Sequence, residues 1–126
     1  MKKISEKNVK KYWLKQSRLL DWNVEPKIAF KKKINNKFDW FPDGRINVSF
    51  NCLETNIKKG LGKKNALICI DKNFKIKSYT YDQLLNLVEN LSFYLKKKLL
   101  KIPNPTVVLQ SSAGLNTSIF MLACAR

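Results

Sequence analysis

The sequence predicts an α/β fold: a helical arm at the N-terminus, followed by the start of a sheet subdomain that is left incomplete. Three observations carry this. Residues 5–20 and 81–98 repeat apolar side chains at helical spacing. Residues 65–71 and 105–110 are short apolar runs of strand length. The last segment, residues 113–125, is apolar nearly all round and needs cover on both sides, which strand-helix-strand order would supply with one more strand.

In the arm, Ser5 suits a helix cap, and Val9, Tyr12-Trp13, Gln16 and Leu19-Leu20 recur on one face, opposite Lys7, Lys10, Lys11 and Lys15. Trp13 and Trp22 place two indoles one short helix apart, a pair expected to dock on a larger body. Pro26 ends regular structure, and residues 27–38 read as a basic extended linker. Residues 39–53 read as a short aromatic strand, a tight turn and a helix start. Pro42 and Asp43-Gly44 supply the turn chemistry, Gly44 being free to take positive φ, and Asn47 is placed as an N-cap. The helix is expected to reach Lys59, with Phe50, Leu53 and Ile57 on its inner stripe and Gly60 as its C-terminal cap.

Residues 65–71 are expected to be a buried strand, Lys72-Asn73-Phe74-Lys75 a turn, and residues 76–80 the returning strand. Thr80-Tyr81-Asp82-Gln83 is a capping box. Beyond it Leu84, Leu87-Val88, Leu91 and Tyr94-Leu95 line one helix face, which ends in Lys96-Lys97-Lys98. A strand over residues 105–110 and a final helix capped by Ser111-Ser112 complete the reading.

The net charge of +16 raises a polyanion partner. Only Arg18, Arg45 and Arg126 are arginines, however, and the lysines are spread along the chain, Lys31-Lys32-Lys33 being the one patch of interest. Bidentate phosphate and base recognition leans on arginine, so no specific nucleic acid is expected. No apolar run is long enough to span a bilayer and the opening residues lack a leader's apolar core, so a cytoplasmic location is expected and no membrane partner.

Cys52, Cys69 and Cys124 are widely spaced and read as small buried hydrophobes; there is no histidine, which excludes histidine general bases and the usual zinc sites. Gly60-Leu61-Gly62-Lys63-Lys64 looks like a phosphate loop but follows a helix and precedes a strand, the reverse of what a phosphate cradle needs. Asp39, Asp43, Asp82 and Glu89 are scattered. Accordingly no catalytic, cofactor-binding or metal residue is assigned.

Four blocks carry a resemblance. They are Tyr12-Trp13-x-x-Gln16 with Leu20-Asp21-Trp22; Trp40-Phe41-Pro42-Asp43-Gly44-Arg45 through Asn51-Cys52-Leu53; Gly60-x-Gly62 leading to Ala66-Leu67-Ile68 and Tyr79-Thr80-Tyr81-x-x-Leu84; and Met121 through Arg126. In this order they resemble the N-terminal region of AMP-forming acetyl-CoA and propionyl-CoA synthetases, of the adenylate-forming ligase superfamily. The resemblance implies an acetyl-CoA-synthetase-type N-terminal region over residues 1–60 and the truncated beginning of the AMP-binding ligase domain over residues 61–126. It implies a full-length enzyme that uses ATP, Mg2+ and CoA to convert acetate or propionate to its acyl-CoA through an acyl-adenylate. The motifs for those ligands lie beyond Arg126 in the family, so this chain alone is expected to be inactive. Its expected partner is the remainder of the ligase, in the same chain or a separate one. The alternatives are a non-catalytic basic binding module and a non-functional remnant of such a ligase.

Overall fold

The computed structural model describes residues 5–126, except for the side chain of Asn36. Residues 1–4, part of the stretch read above for a leader, lie outside the described residues. The chain divides into two compact units, one running to Asn47 and the other spanning Val48–Arg126. The architecture is mixed helix and small antiparallel sheets, an α/β arrangement.

In the first unit, helix α1 spans Glu6–Ser17, and the Ser5 side chain accepts the Asn8 amide as expected of a cap. The helix stops at Ser17, short of Leu19-Leu20, both of which are exposed. The Trp22 indole Nε1–H donates to the Ser17 carbonyl at 2.7 Å and so satisfies an acceptor at the helix end. Strand β1 (Trp22–Val24) pairs antiparallel with β4 (Arg45–Ile46).

Residues 27–38 are not a linker throughout. Strand β2 (Phe30–Lys32) pairs with β3 (Phe38–Trp40) in a hairpin, with Phe30 opposite Trp40. A single 3-10 turn, Ile34–Asn36, closes it, with Asn35 at φ 62°. Asparagine tolerates the left-handed region, which is why the lysine- and asparagine-rich stretch can turn. Aromatic rings hold the unit together. Trp40 packs on Phe30 at 5.1 Å and on Trp13 at 5.2 Å, and Phe41 packs on Trp22 at 5.5 Å.

The turn at residues 41–44 differs from expectation in one respect. The positive φ falls on Phe41, at 48°, and not on Gly44. Gly44 is required for space instead: a Cβ there would stand 2.6 Å from Trp22 Cζ3 and 3.2 Å from Pro26 Cβ. Asp43 ties the turn to the preceding segment, its carboxylate accepting the Lys27 amide at 2.9 Å and the Ile28 amide at 3.2 Å.

In the second unit, helix α2 (Val48–Cys52) starts directly after Asn47. The continuous helix expected to Lys59 is broken into α2, a short α3 (Glu54–Asn56) and a π-type turn, Ile57–Leu61. Gly60 sits at φ 80° in that turn, the left-handed residue that stops the run. Leu53, at the α2–α3 joint, is 1% exposed.

Strands β5 (Asn65–Ile70) and β6 (Ile76–Thr80) form the expected hairpin, Ile70 opposite Ile76. Asp71 builds its turn, one carboxylate oxygen accepting the Asn73 and Lys75 amides at 2.8 and 2.9 Å. Strand β5 is not buried as its apolar run suggests: Ile68 and Ile70 are exposed, because the hairpin is a two-stranded sheet covered on one face. Thr80 and Gln83 make the full capping box of α4 (Tyr81–Leu99). Helix α5 (Leu115–Ala125) is capped by Gly114 at φ 149° and not by Ser111-Ser112. Residues 105–110 form no strand, since among the described residues no other strand lies beside them to complete a ladder.

The core of this unit is Leu53, Leu84, Val88, Ile119 and Ala123, with Ala66, Leu67, Leu91 and Leu95 packed around it. Leu84, Val88, Leu91 and Leu95 thus bear out the inner face read for α4, whereas Leu87 and Tyr94 are exposed. Cys52 and Cys124 are exposed and Cys69 is half-buried, so the thiols are not the buried hydrophobes their apolar neighbours suggest. Helical rotation places both terminal thiols off the inward stripe.

Candidate functional site

Each acidic side chain that the sequence offers for chemistry is occupied in holding the fold. Asp39 pairs with Lys33 at 3.1 Å, and Asp82 with Lys63 at 3.0 Å. Asp43 serves the backbone of residues 27–28. The Lys27 amide, followed by that of Ile28, holds the Asp43 carboxyl below its ordinary value, and Lys10 does the same for Glu6. Glu89 takes one arm of the Arg126 guanidinium at 2.9 Å while Glu54 takes the other. Arg126 therefore ties α3 to α4 at the end of α5. Among the described residues no group of three or more Cys, Asp or Glu is arranged to hold a metal ion.

The loop at residues 60–64 shows why a glycine-lysine spacing is not enough. The Tyr81 amide donates to the Lys64 carbonyl and the Asp82 amide to the Gly62 carbonyl, each at 3.1 Å. The loop thus spends its carbonyls on the free amides at the start of α4, where a phosphate cradle would present amides outward. The Asp82 carboxylate also fills the space beside Gly62: its Oδ1 stands 2.5 Å from where a Cβ would lie. A carboxylate there repels phosphate. The loop at residues 60–64 consequently does not fit a nucleotide phosphate.

The chain presents apolar surface instead of reacting groups. A groove of about 640 Å³ runs between the C-terminal half of α4 and the end of α5, lined by Leu95, Leu99, Ile102, Pro105, Val107 and Cys124 among others. A second, of about 450 Å³, is walled on one side by the five consecutive residues Leu67 to Asp71 and on the other by Ala113, Gly114 and Ser118. Met121 on α5 and Val108 before it are exposed. In the first unit Tyr12, Trp13, Phe38 and Trp40 keep part of their rings open to solvent. Apolar side chains left this open are characteristic of interaction surfaces. The sequence signal for it was the terminal helix with almost no polar face. Among the described residues no helix is long and apolar enough to cross a membrane.

Comparison with known proteins agrees with a part that belongs to a larger body. Residues 1–52 match the family described as the acetyl-coenzyme A synthetase N-terminus. An acetyl-coenzyme A synthetase of Cupriavidus metallidurans is 32% identical over 95% of this chain and 18% of its own length. One of Mesorhizobium japonicum is 34% identical over 97% of this chain and 19% of its own. One of Deinococcus radiodurans is 33% identical over 91% of this chain and 16% of its own. The chain therefore spans less than a fifth of the length of these relatives. It belongs to the acetyl-CoA synthetase family and corresponds to that family's N-terminal portion.

Proposed function

We propose that the chain serves as the architectural N-terminal portion of an AMP-forming short-chain acyl-CoA synthetase. The whole enzyme would activate acetate or propionate with ATP and Mg2+ to an acyl-adenylate, then pass the acyl group to CoA. The observation that carries this is the match along nearly the whole chain to acetyl-coenzyme A synthetases of several bacteria. The site geometry supports the division of labour: the chain's acids and its glycine-lysine loop are committed to the fold, and its unsatisfied surface is apolar. ATP, Mg2+ and CoA accordingly belong to the remainder of the ligase, which is the proposed partner.

The proposed boundary sets residues 1–60 as the family's N-terminal region and residues 61–126 as the beginning of the ligase subdomain. The family match over residues 1–52, which lies within the first of these segments, supports it. A cytoplasmic setting is proposed, supported by the three free thiols, which a reducing compartment maintains. The test is a chimera in which residues 1–126 replace the matching segment of the Cupriavidus metallidurans enzyme. The expected result is AMP formation that depends on acetate and CoA; a soluble, folded but inert chimera would overturn the proposal.

A further inference from the structure

Helix α1 carries a row of cations that the fold leaves unpaired. Lys7, Lys11, Lys15 and Arg18 follow one another at steps of four, four and three residues, Arg18 being the C-cap residue. That spacing keeps them on about a quarter of the helix circumference, with steps of about 6 Å along a row of roughly 16 Å. All four are exposed, and among the described residues none stands in an ion pair. Glu6, the one acid of the helix, is taken by Lys10 at 2.6 Å. Like charges four residues apart weaken a helix, so the row costs α1 stability and no ion pair offsets it. Tyr12, 55% exposed, lines the same open hollow of about 840 Å³ as the four cations. The cations fall outside Tyr12, Trp13, Gln16 and Leu20-Asp21-Trp22, the residues that carry the family resemblance in this arm.

Apart from the ligase role proposed above, we infer that this face of α1 binds single-stranded nucleic acid without regard to sequence. Such a ligand is held by cations that follow its phosphates and by an aromatic face on which a base stacks. A step of about 6 Å is comparable to the separation of successive phosphates along an extended single strand. Bidentate arginine contacts serve base recognition; three lysines and one arginine suffice where only phosphates are followed. An acidic protein segment would use the cations and leave the ring idle. A bilayer surface would need apolar side chains to insert, and the one leucine lining the hollow, Leu14, is half-buried.

The test is the binding of a short fluorescein-labelled oligothymidylate to chain 1–126, followed by anisotropy over a range of salt. The variant carrying Lys7→Gln, Lys11→Gln, Lys15→Gln and Arg18→Gln together should flatten the fall of log K with log[salt] by about 2.8, the slope due to four phosphates. Each single substitution should remove about 0.7 of that slope, and the single variants carry the test if the quadruple one loses its helical ellipticity. The control carries Lys72→Gln, Lys75→Gln, Lys97→Gln and Lys101→Gln, which removes the same charge from exposed positions of the second unit and should keep most of the affinity and slope. Tyr12→Phe should bind as the parent does, and Tyr12→Ala about tenfold more weakly, through loss of a stacked base. Equal losses in the two quadruple variants would overturn the inference by assigning the binding to net charge alone. Equal or tighter binding of polyglutamate, or of vesicles of anionic lipid, would overturn the choice of ligand. Absence of oligothymidylate binding at low salt would overturn it outright.

Discussion

Trp22 and Gly44 meet with no room between them for a methyl group, since Trp22 Cζ3 lies 2.6 Å from where a Gly44 Cβ would stand. The turn after β3 is thereby pressed onto the indole whose Nε1–H already holds the end of α1. Helix, turn and strand pair share this one ring.

Gly44→Ala should therefore destabilise the first unit by about 1–3 kcal/mol, the usual cost of overpacking. Trp13, Trp22 and Trp40 all lie in that unit, so indole fluorescence during thermal unfolding reads it selectively. The second unit, followed by ellipticity at helical wavelengths, should be little changed.

Asp43 predicts an acid limb for the same unit. Its folded pKa is depressed below the ordinary 3.8 by the Lys27 and Ile28 amides. A depressed carboxylate contributes stability above the unfolded pKa and loses it as pH falls through the folded one. The indole-reported melting temperature should fall as pH drops below about 4. Asp43→Ala should lower that temperature at pH 7 and flatten the acid dependence.

In the second unit Leu53→Ala should cost about 2–5 kcal/mol, because Leu53 is 1% exposed and closes the core formed with Leu84, Val88, Ile119 and Ala123. Chemical denaturation followed by ellipticity measures it.

Thr80→Ala removes the acceptor for the Gln83 amide and leaves a first-turn donor of α4 without its side-chain partner. The expected loss is about 1 kcal/mol. Thr80→Asn should restore most of it, which separates capping from packing.

The parts that were legible in the sequence are those whose signal is local. The Thr80–Gln83 capping box, the helical stripe Leu84–Val88–Leu91–Leu95, the Ser5 cap and the hairpin across Asp71 were all readable, because each is specified by residues a few positions apart. The hairpin of β2 and β3 was hidden, because its register is set by Phe30 meeting Trp40 across a lysine- and asparagine-rich turn. The role of Gly44 was misplaced for the same reason: the space it leaves belongs to Trp22, distant in sequence. Residues 105–110 have the composition of a strand, but a ladder needs a neighbour that composition does not supply. The site reading followed from chemistry that could be counted, since no histidine exists, but that the 60–64 loop would turn its carbonyls toward α4 required the fold.

AMP release measured side by side for chain 1–126 and for the chimera separates an architectural N-terminal portion from a self-contained enzyme. The chimera should release AMP in a manner that depends on acetate and CoA, and chain 1–126 should release none above the protein-free control. Turnover by chain 1–126 alone, or a folded chimera that releases no AMP, would contradict the architectural role.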